Sequence, residues 1–415
     1  MKILWVKSNK LLPVHSGGDI RSYNIARQLA RDHQLTFLSY YDGKRDEEYE
    51  RELGSHFSEA VCVATGKSDS SSLVRGVDYL AHLAALPPYA VGRFGCAEVR
   101  NRLERYYRRH DFDVAICDFL DAAINFPREL SIPTILFQHN VESEIWRRHA
   151  TTETNPLKRQ MYAVEFRKML RYERNAVRKF QHVIAVSQHD RSLMEVWVEG
   201  ARITVVPTGV DLEQYRPEFT REPAPTLDVV FVGAMDWEPN VDAMQYFCDQ
   251  IWPGVLSELP GAKLRIVGRN PGSRTLALAS SSIEVTGRVP SVAEYLRDAA
   301  VVVVPLRIGG GTRLKIYEAM AAGRAVVSTS IGAEGLDVHH GRDIVLADSP
   351  RRFTEAVITL LRDDNLRRKY ELAARDLAAQ FDWSVIGRKF AKVLEMVHTQ
   401  SVDAAERMPA GVERE

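Results

Sequence analysis

The chain has 415 residues, too many for one ordinary hydrophobic core and enough for two domains. Its 55 basic and 55 acidic residues cancel, which leaves no global charge to argue for nucleic acid. Cys62, Cys96, Cys117 and Cys248 are scattered without CxxC spacing, so they read as buried thiols of a reducing cytoplasm, not as a disulfide framework or metal ligands.

Met1 to Ser8 is too short for a signal-peptide core and reads as a first strand. Ile3–Val6, a helix from Asp19, Leu35–Tyr40, a helix near Glu47 and Val61–Ala64 then alternate in βαβ order. Val114–Cys117, Thr134–Phe137 and Val183–Val186 continue the series, with Ser187 placed to cap the next helix. Near-continuous Val and Ile runs imply strands covered on both faces, hence parallel sheet. Residues 207–226 are rich in proline, glycine and polar residues and predict an interdomain linker. The alternation restarts with Val229–Val232, Leu264–Val267, Ile283–Val285, Val301–Val304, Ala325–Ser328 and Ile344–Leu346. Residues 350–398 read as helical, and 401–415 as a frayed polar tail. No apolar run approaches the roughly 20 residues that span a bilayer. The fold class is therefore α/β with two Rossmann-like domains, 1–206 and 207–382, then a helix over 383–400.

The most informative stretch is 305–329, PLRIGGGTRLKIYEAMAAGRAVVST. Gly309, Gly310 and Gly311 let backbone N–H groups approach a ligand, and a helix opening near Thr312 adds unpaired donors and a positive dipole end. Arg313 and Lys315 supply charge, and Glu318, about a turn on, suits hydroxyls such as those of ribose. The combination points to a nucleotide-linked ligand at the carboxyl edge of a sheet. No GxGxxG follows any strand, which disfavours a dinucleotide fold. Asp111 and Asp113 spell DxD but precede the strand at Val114 and sit at its wrong end, so they read as polar loop residues. No clustered His, Cys or carboxylate set suggests a metal site.

These segments, with PTGVD at 207–211, FVGAMDWEPN at 231–240, RIVGRNP at 265–271 and VTGRVPSVAEYLRDAAVVVVP at 285–305, resemble glycosyltransferase family 4 (group 1). Members of the kind linked to exopolysaccharide synthesis are retaining enzymes of the GT-B fold. The resemblance implies two Rossmann-like domains facing across a cleft, with the second binding a nucleotide-sugar donor. It implies that Glu318 binds the donor ribose, that Gly309–Gly311 face the diphosphate, and that the backbone at Arg288 contacts the nucleobase. Gly233 and Arg269 fall within its donor-binding segments. Two departures stand out. The family's first glutamate falls on Gly310, and the Arg and Lys that often follow the first strand of the second domain fall on Ala234 and Pro239. Arg313 and Lys315 are the candidates to replace those two charges.

In the first half, HSGGDIRSYNIARQLA at 15–30 resembles the family's N-terminal glycine loop, where Gly17 and Gly18 permit close backbone approach. QHNVESEIW at 138–146 puts His139 at the carboxyl end of a buried strand, where the family has an active-site histidine that hydrogen-bonds the donor sugar. Glu142 nearby favours a helix dipole. Residues 157–180 form a basic amphipathic helix of a kind that sits on anionic membranes or is simply solvated. The expected activity is metal-independent, cofactor-free transfer from a nucleotide sugar to a hydroxyl acceptor, glycan or lipid-linked, in the cytoplasm or at the inner face of the membrane. Nucleic acid is not an expected partner. Two other readings fit the same residues: an inactive nucleotide-sugar-binding protein, and a GT-B-fold epimerase acting on the nucleotide sugar itself.

Overall fold

The structure, a computed structural model, describes residues 1–14, 16–66, 87–216, 227–308 and 313–406. The chain divides into two compact units: Met1–Pro207 with the chain from Ile386 onward, and Thr208–Val385. Among the described residues no helix is long and apolar enough to cross a membrane.

The first unit holds β1 (Lys2–Ser8), β2 (Gln34–Tyr41), β3 (Glu59–Ala64), β4 (Val114–Asp118), β5 (Thr134–Gln138), β6 (His182–Ala185) and β7 (Ile203–Val205). They form one parallel sheet in the order β3-β2-β1-β4-β5-β6-β7. Strand β7 was not foreseen, because its three residues, Ile203–Val205, run straight into the proline-containing stretch that read as linker. The order reverses between β1 and β4, which opens a crevice at their carboxyl ends. Helix α1 (Gly17–Leu29) starts there, with Ser16 and Asp19 forming a reciprocal capping box. Helices α2 (Glu142–Thr152) and α3 (Pro156–Lys179) follow β5 as a hairpin.

The core of this unit centres on Trp5, which stacks on Phe37 at 6.2 Å and on Phe390 at 5.8 Å and meets the edge of Phe137 at 6.1 Å. Phe390 belongs to the last helix, α6 (Trp383–Glu406), which joins this unit from Ile386. Because α6 is helical through Glu406, Ser401–Glu406 are not the frayed tail that their polarity suggested. Gln28 closes over Gly387, where an added Cβ would lie 2.5 Å from its own Cβ.

The second unit contains β8 (Asp228–Val232), β9 (Lys263–Val267), β10 (Ile283–Gly287), β11 (Val301–Val304), β12 (Ala325–Ser328) and β13 (Val345–Leu346). These strands too are all parallel, in the order β10-β9-β8-β11-β12-β13, with the reversal between β8 and β11. Helix α4 (Glu238–Gln250) follows β8 and α5 (Leu314–Ala321) follows β11. Ala319 and Ala321 are buried on α5, so the helix lies close against its neighbours. Part of the expected linker is packed instead: Val210 N–H donates to the Phe381 carbonyl at 2.8 Å, and Tyr215 is buried. Gly209 leaves the space that Trp383 fills.

At the carboxyl edge, a Cβ on Gly268 would stand 1.7 Å from the Gly233 carbonyl oxygen, so the chain leaving β9 crosses directly under the end of β8. Gly268→Ala must force these backbones apart and should lower stability by about 2 kcal/mol or more. Gly272→Ala, with nothing within 4 Å of the added Cβ, is the control. Thermal melts should separate the two variants; equal melting temperatures would show that the approach is not tight.

Candidate functional site

In each unit the charged and polar side chains gather where the strand order reverses. In the first, β4 ends on Asp118, fully buried, which is the centre of the group. Trp5 Nε1–H donates to Asp118 Oδ2 at 2.9 Å, and Lys7 Nζ stands 3.8 Å from the same oxygen. The other oxygen, Oδ1, lies 2.7 Å from His139 Nε2. Burial alone would push the Asp118 carboxyl up, but the Lys7 charge and the bonds from His139 and Ser22 hold it below the usual carboxylate range.

Arg21 Nη1 lies 2.9 Å from His139 Nδ1. A guanidinium can only donate, so Nδ1 is the acceptor and the proton sits on Nε2, facing Asp118. Burial is the main reason that His139 is pushed down to about 4, which keeps the ring neutral at physiological pH. Both ring nitrogens are therefore engaged within the chain, whereas the sequence reading left His139 free to hold a sugar. Phe119 stacks on the same ring at 3.7 Å and 5°. Its backbone has φ 71° and ψ 153°, a region that L-residues avoid. The Phe119 ring also takes the space beside Gly18, where a Cβ would sit 2.4 Å from it. The glycine thus serves an aromatic ring of its own chain, and Gly17 is the first residue of α1. Lys7 lies over the far part of this arrangement, 4.3 Å from the Phe119 ring centre and 3.3 Å from Asp19.

Glu142 is the first residue of α2, but the side chain that meets the N–H groups there is another acid. Burial, and then Glu173 and Asp121, push Glu142 up to about 8. The start of α2 is capped by Glu173 of α3, which accepts from Glu142 N–H at 2.7 Å, Ser143 N–H at 3.0 Å and Gln138 Nε2 at 2.6 Å. Asp113 accepts the Lys2 N–H at 2.7 Å, at the opposite edge of the sheet.

In the second unit, Lys315 and Glu318 lie three residues apart on one face of α5. Lys315 Nζ donates to Asn240 Oδ1 at 2.8 Å and stands 4.3 Å over the Phe231 ring. Asn240 in turn donates to the Ala234 carbonyl at 2.8 Å. A Cβ on Gly233 would lie 2.7 Å from both Lys315 Nζ and Asn240 Nδ2, so a side chain there would displace the pair from the end of β8. Desolvation, and then the nearby charge of Arg313, push Lys315 down to about 7. Arg313 is buried at the start of α5. The Tyr215 hydroxyl donates to the Glu318 carboxylate, whose pKa burial raises. Arg269 is half-exposed, 3.8 Å from Asp236, and Arg288 is exposed beyond β10. Gly309, Gly310, Gly311 and Thr312 lie outside the described residues. Among the described residues no group of three His, Cys, Asp or Glu side chains is placed to hold a metal ion.

The structure thus brings Gly233, Arg313, Lys315 and Glu318 to one sheet edge and adds Tyr215 and Asn240, which the sequence reading missed. In the first unit it adds Lys7, Arg21, Asp118 and Phe119 around His139. A carboxylate that ends an otherwise apolar strand, as in VAICD, was the available signal for Asp118.

Two doubly wound parallel sheets, each with buried charge at its reversal point, define a two-domain α/β protein built for polar ligands. The model of glycosyltransferase family 4 matches residues 15–214, and that of glycosyl transferases group 1 matches 226–363. The chain belongs to this glycosyltransferase family. The phosphatidyl-myo-inositol mannosyltransferase of Mycobacterium leprae is 29% identical over 209 residues, 48% of this chain and 55% of that protein. The D-inositol 3-phosphate glycosyltransferase of Nocardiopsis dassonvillei is 29% identical over 241 residues, 52% of this chain and 56% of that protein. The matches thus span little more than half the length of these curated relatives. Anabaena HepE, in a crystal structure with UDP and glucose, is 14% identical and has a TM-score of 0.63 over 95% of this chain and 100% of its own. That likeness shows the fold, GT-B.

Replacing Asp118 tests how the first cluster is held. In Asp118→Asn one arm of the amide must present N–H to a donor, either Trp5 or His139, and Lys7 loses its nearest buried counter-charge. Removing one partner of a buried pair costs about 3 to 5 kcal/mol. Urea unfolding should show a loss of that size; a loss below about 1 kcal/mol would mean that solvent enters the cluster and replaces the carboxylate.

Proposed function

We propose that the protein transfers a glycosyl unit from a nucleotide sugar to a hydroxyl acceptor, glycan or lipid-linked, with retention of configuration and without a metal ion or cofactor. The observation that carries this reading is the placement of Lys315 against Gly233 and Asn240, with Glu318 a turn away on the same helix. The family's diphosphate-binding Arg and Lys are absent at Ala234 and Pro239, and Lys315 reaches the same strand end from α5. Its ammonium and Arg313 neutralise the diphosphate, while the Glu318 carboxylate accepts from ribose hydroxyls. Gly309–Thr312 add backbone donors, Arg269 a further cation, and the chain at Arg288 the contact with the base.

Cleavage of the sugar–phosphate bond builds charge on the leaving diphosphate, and fixed cations and N–H dipoles stabilise it without reorganisation. The acceptor hydroxyl attacks the anomeric carbon from the face the diphosphate leaves, and its proton passes to the departing phosphate. His139, kept neutral by burial and with its two ring nitrogens on Asp118 and Arg21, holds the edge beside which the sugar and acceptor are ordered, with Gly17 and Gly18 at the start of α1. HepE, which shares the fold, is in complex with UDP and glucose, and the mannosyltransferase relatives are named for a lipid acceptor; both support a nucleotide-sugar donor and a glycan or lipid-linked acceptor, consistent with a role in polysaccharide synthesis on the cytoplasmic side of the membrane.

The test is acceptor-dependent release of nucleoside diphosphate from a panel of nucleotide sugars. Release with acceptor, unchanged by EDTA, is expected. Binding without release identifies an inactive binding protein, a changed sugar without acceptor identifies an epimerase, and loss with EDTA restored by magnesium overturns metal independence.

Lys315 generates a pH dependence. The diphosphate binds the ammonium form, and its negative charge raises the Lys315 pKa above the ligand-free value of about 7. Binding above that pH therefore takes up a proton, and affinity falls as pH rises. Calorimetry in two buffers of different ionisation heat should read that proton. In Lys315→Met the pH slope should vanish and diphosphate affinity fall by at least about tenfold, with affinity for the bare nucleoside retained. Equal losses for nucleoside and nucleoside diphosphate would assign Lys315 to packing alone.

A further inference from the structure

Helix α3 carries two acids, Glu165 and Glu173, and both are buried. Glu173 caps α2, and Glu165 accepts the Tyr89 N–H at 3.2 Å and pairs with Lys168 at 3.3 Å. The outward face is left with bases. Arg167, Arg171, Arg174 and Arg178 are exposed and recur at helical spacing, a stripe about 16 Å long, with Lys158 and Arg159 toward the start. Among the described residues no carboxylate pairs with Arg159, Arg167, Arg171 or Arg174. On a chain whose charges balance overall, this face is therefore a local concentration of positive charge.

Both ends of the stripe bear aliphatic side chains in the open. Leu157, at the start of α3, is 82% exposed, and Val196 is 77% exposed. The neighbouring Trp197 carbonyl accepts from Arg178 Nε at 3.1 Å, which fixes Val196 beside the last arginine. The helix also overhangs the sheet. Gln138, the last residue of β5, bonds Glu173, so the 18 residues from Pro156 to Glu173 rise about 25 Å past the carboxyl edge where His139 lies.

We propose that this face of α3 is a docking surface for an anionic bilayer, with the arginines on lipid phosphates and Leu157 and Val196 in the interface. The charge complements a headgroup layer, and exposed aliphatics at both ends gain only where hydrocarbon is available. A soluble polyanion such as an acidic glycan would use the arginines and leave the aliphatics in water, and a nucleic acid would find no exposed aromatic ring among the arginines for stacking. The proposal is independent of glycosyl transfer, since it concerns only where the first unit rests.

The test uses the full chain and vesicles of phosphatidylcholine alone or mixed equally with phosphatidylglycerol, read by co-sedimentation. The wild type should bind the mixed vesicles and not the neutral ones. The triple variant Arg167→Gln/Arg171→Gln/Arg174→Gln should lose roughly a hundredfold in partitioning, and Leu157→Ser/Val196→Ser should lose several-fold at unchanged charge. A control that removes three exposed arginines of the second unit, Arg351→Gln/Arg352→Gln/Arg368→Gln, should bind as the wild type does; circular dichroism confirms that each variant is folded. Equal binding by wild type and triple variant, an equal loss in the control, or binding to heparin without binding to anionic vesicles would each overturn the proposal.

Discussion

The buried carboxylate of Asp118 is the constraint on which the first unit depends. An ion this deep is tolerated only when it is hydrogen-bonded and paired, and here an indole N–H and an imidazole N–H donate to it while the Lys7 ammonium stands 3.8 Å away. Its partner Trp5 is also the hub of the aromatic core, in contact with Phe37, Phe137 and Phe390. The same side chain therefore packs the C-terminal helix and orients the polar group. Geometry at the edge of the sheet is inherited from the core, which is how a site retains its shape through ordinary thermal motion.

Phe119 shows the cost of that arrangement. Its unfavourable backbone region costs on the order of 1 to 3 kcal/mol and persists because the ring is trapped between His139, Lys7 and the bare backbone of Gly18. His139 is in turn held in one tautomer by Asp118 and Arg21. Burial lowers its pKa to about 4, so the ring is neutral at neutral pH.

The second unit solves a different problem, that of bringing a cation to a strand end whose own loop has none. Ala234 and Pro239 supply no charge, while Lys315 comes across from α5, supported by Asn240 and admitted by Gly233. Burial, and then the charge of Arg313, push the ammonium down to about 7. Because the compensation joins three segments, 233–234, 240 and 315, a change at any of them is felt at the other two.

Twelve of the thirteen described strands, all but β7, were legible in the sequence because buried parallel strands are short Val and Ile runs, and their alternation with helices leaves few topologies open. Glycines at 233 and charges at 313, 315 and 318 were legible too, as local patterns beside strand ends. Residues that work by reaching across the fold were not. Tyr215 fell within the stretch read as linker, Asp118 lay one residue past the strand read at 114–117, Arg21 fell unremarked in the helix from Asp19, and Glu142 read as a dipole partner, since nothing in their neighbours announces a contact dozens of positions away. The sequence by itself determined the periodicities, the strand-end glycines and the charges available. Only tertiary structure decided which charges are buried, which are paired and which nitrogen of His139 carries its proton, because those depend on desolvation and distance, and both are created when the chain closes on itself.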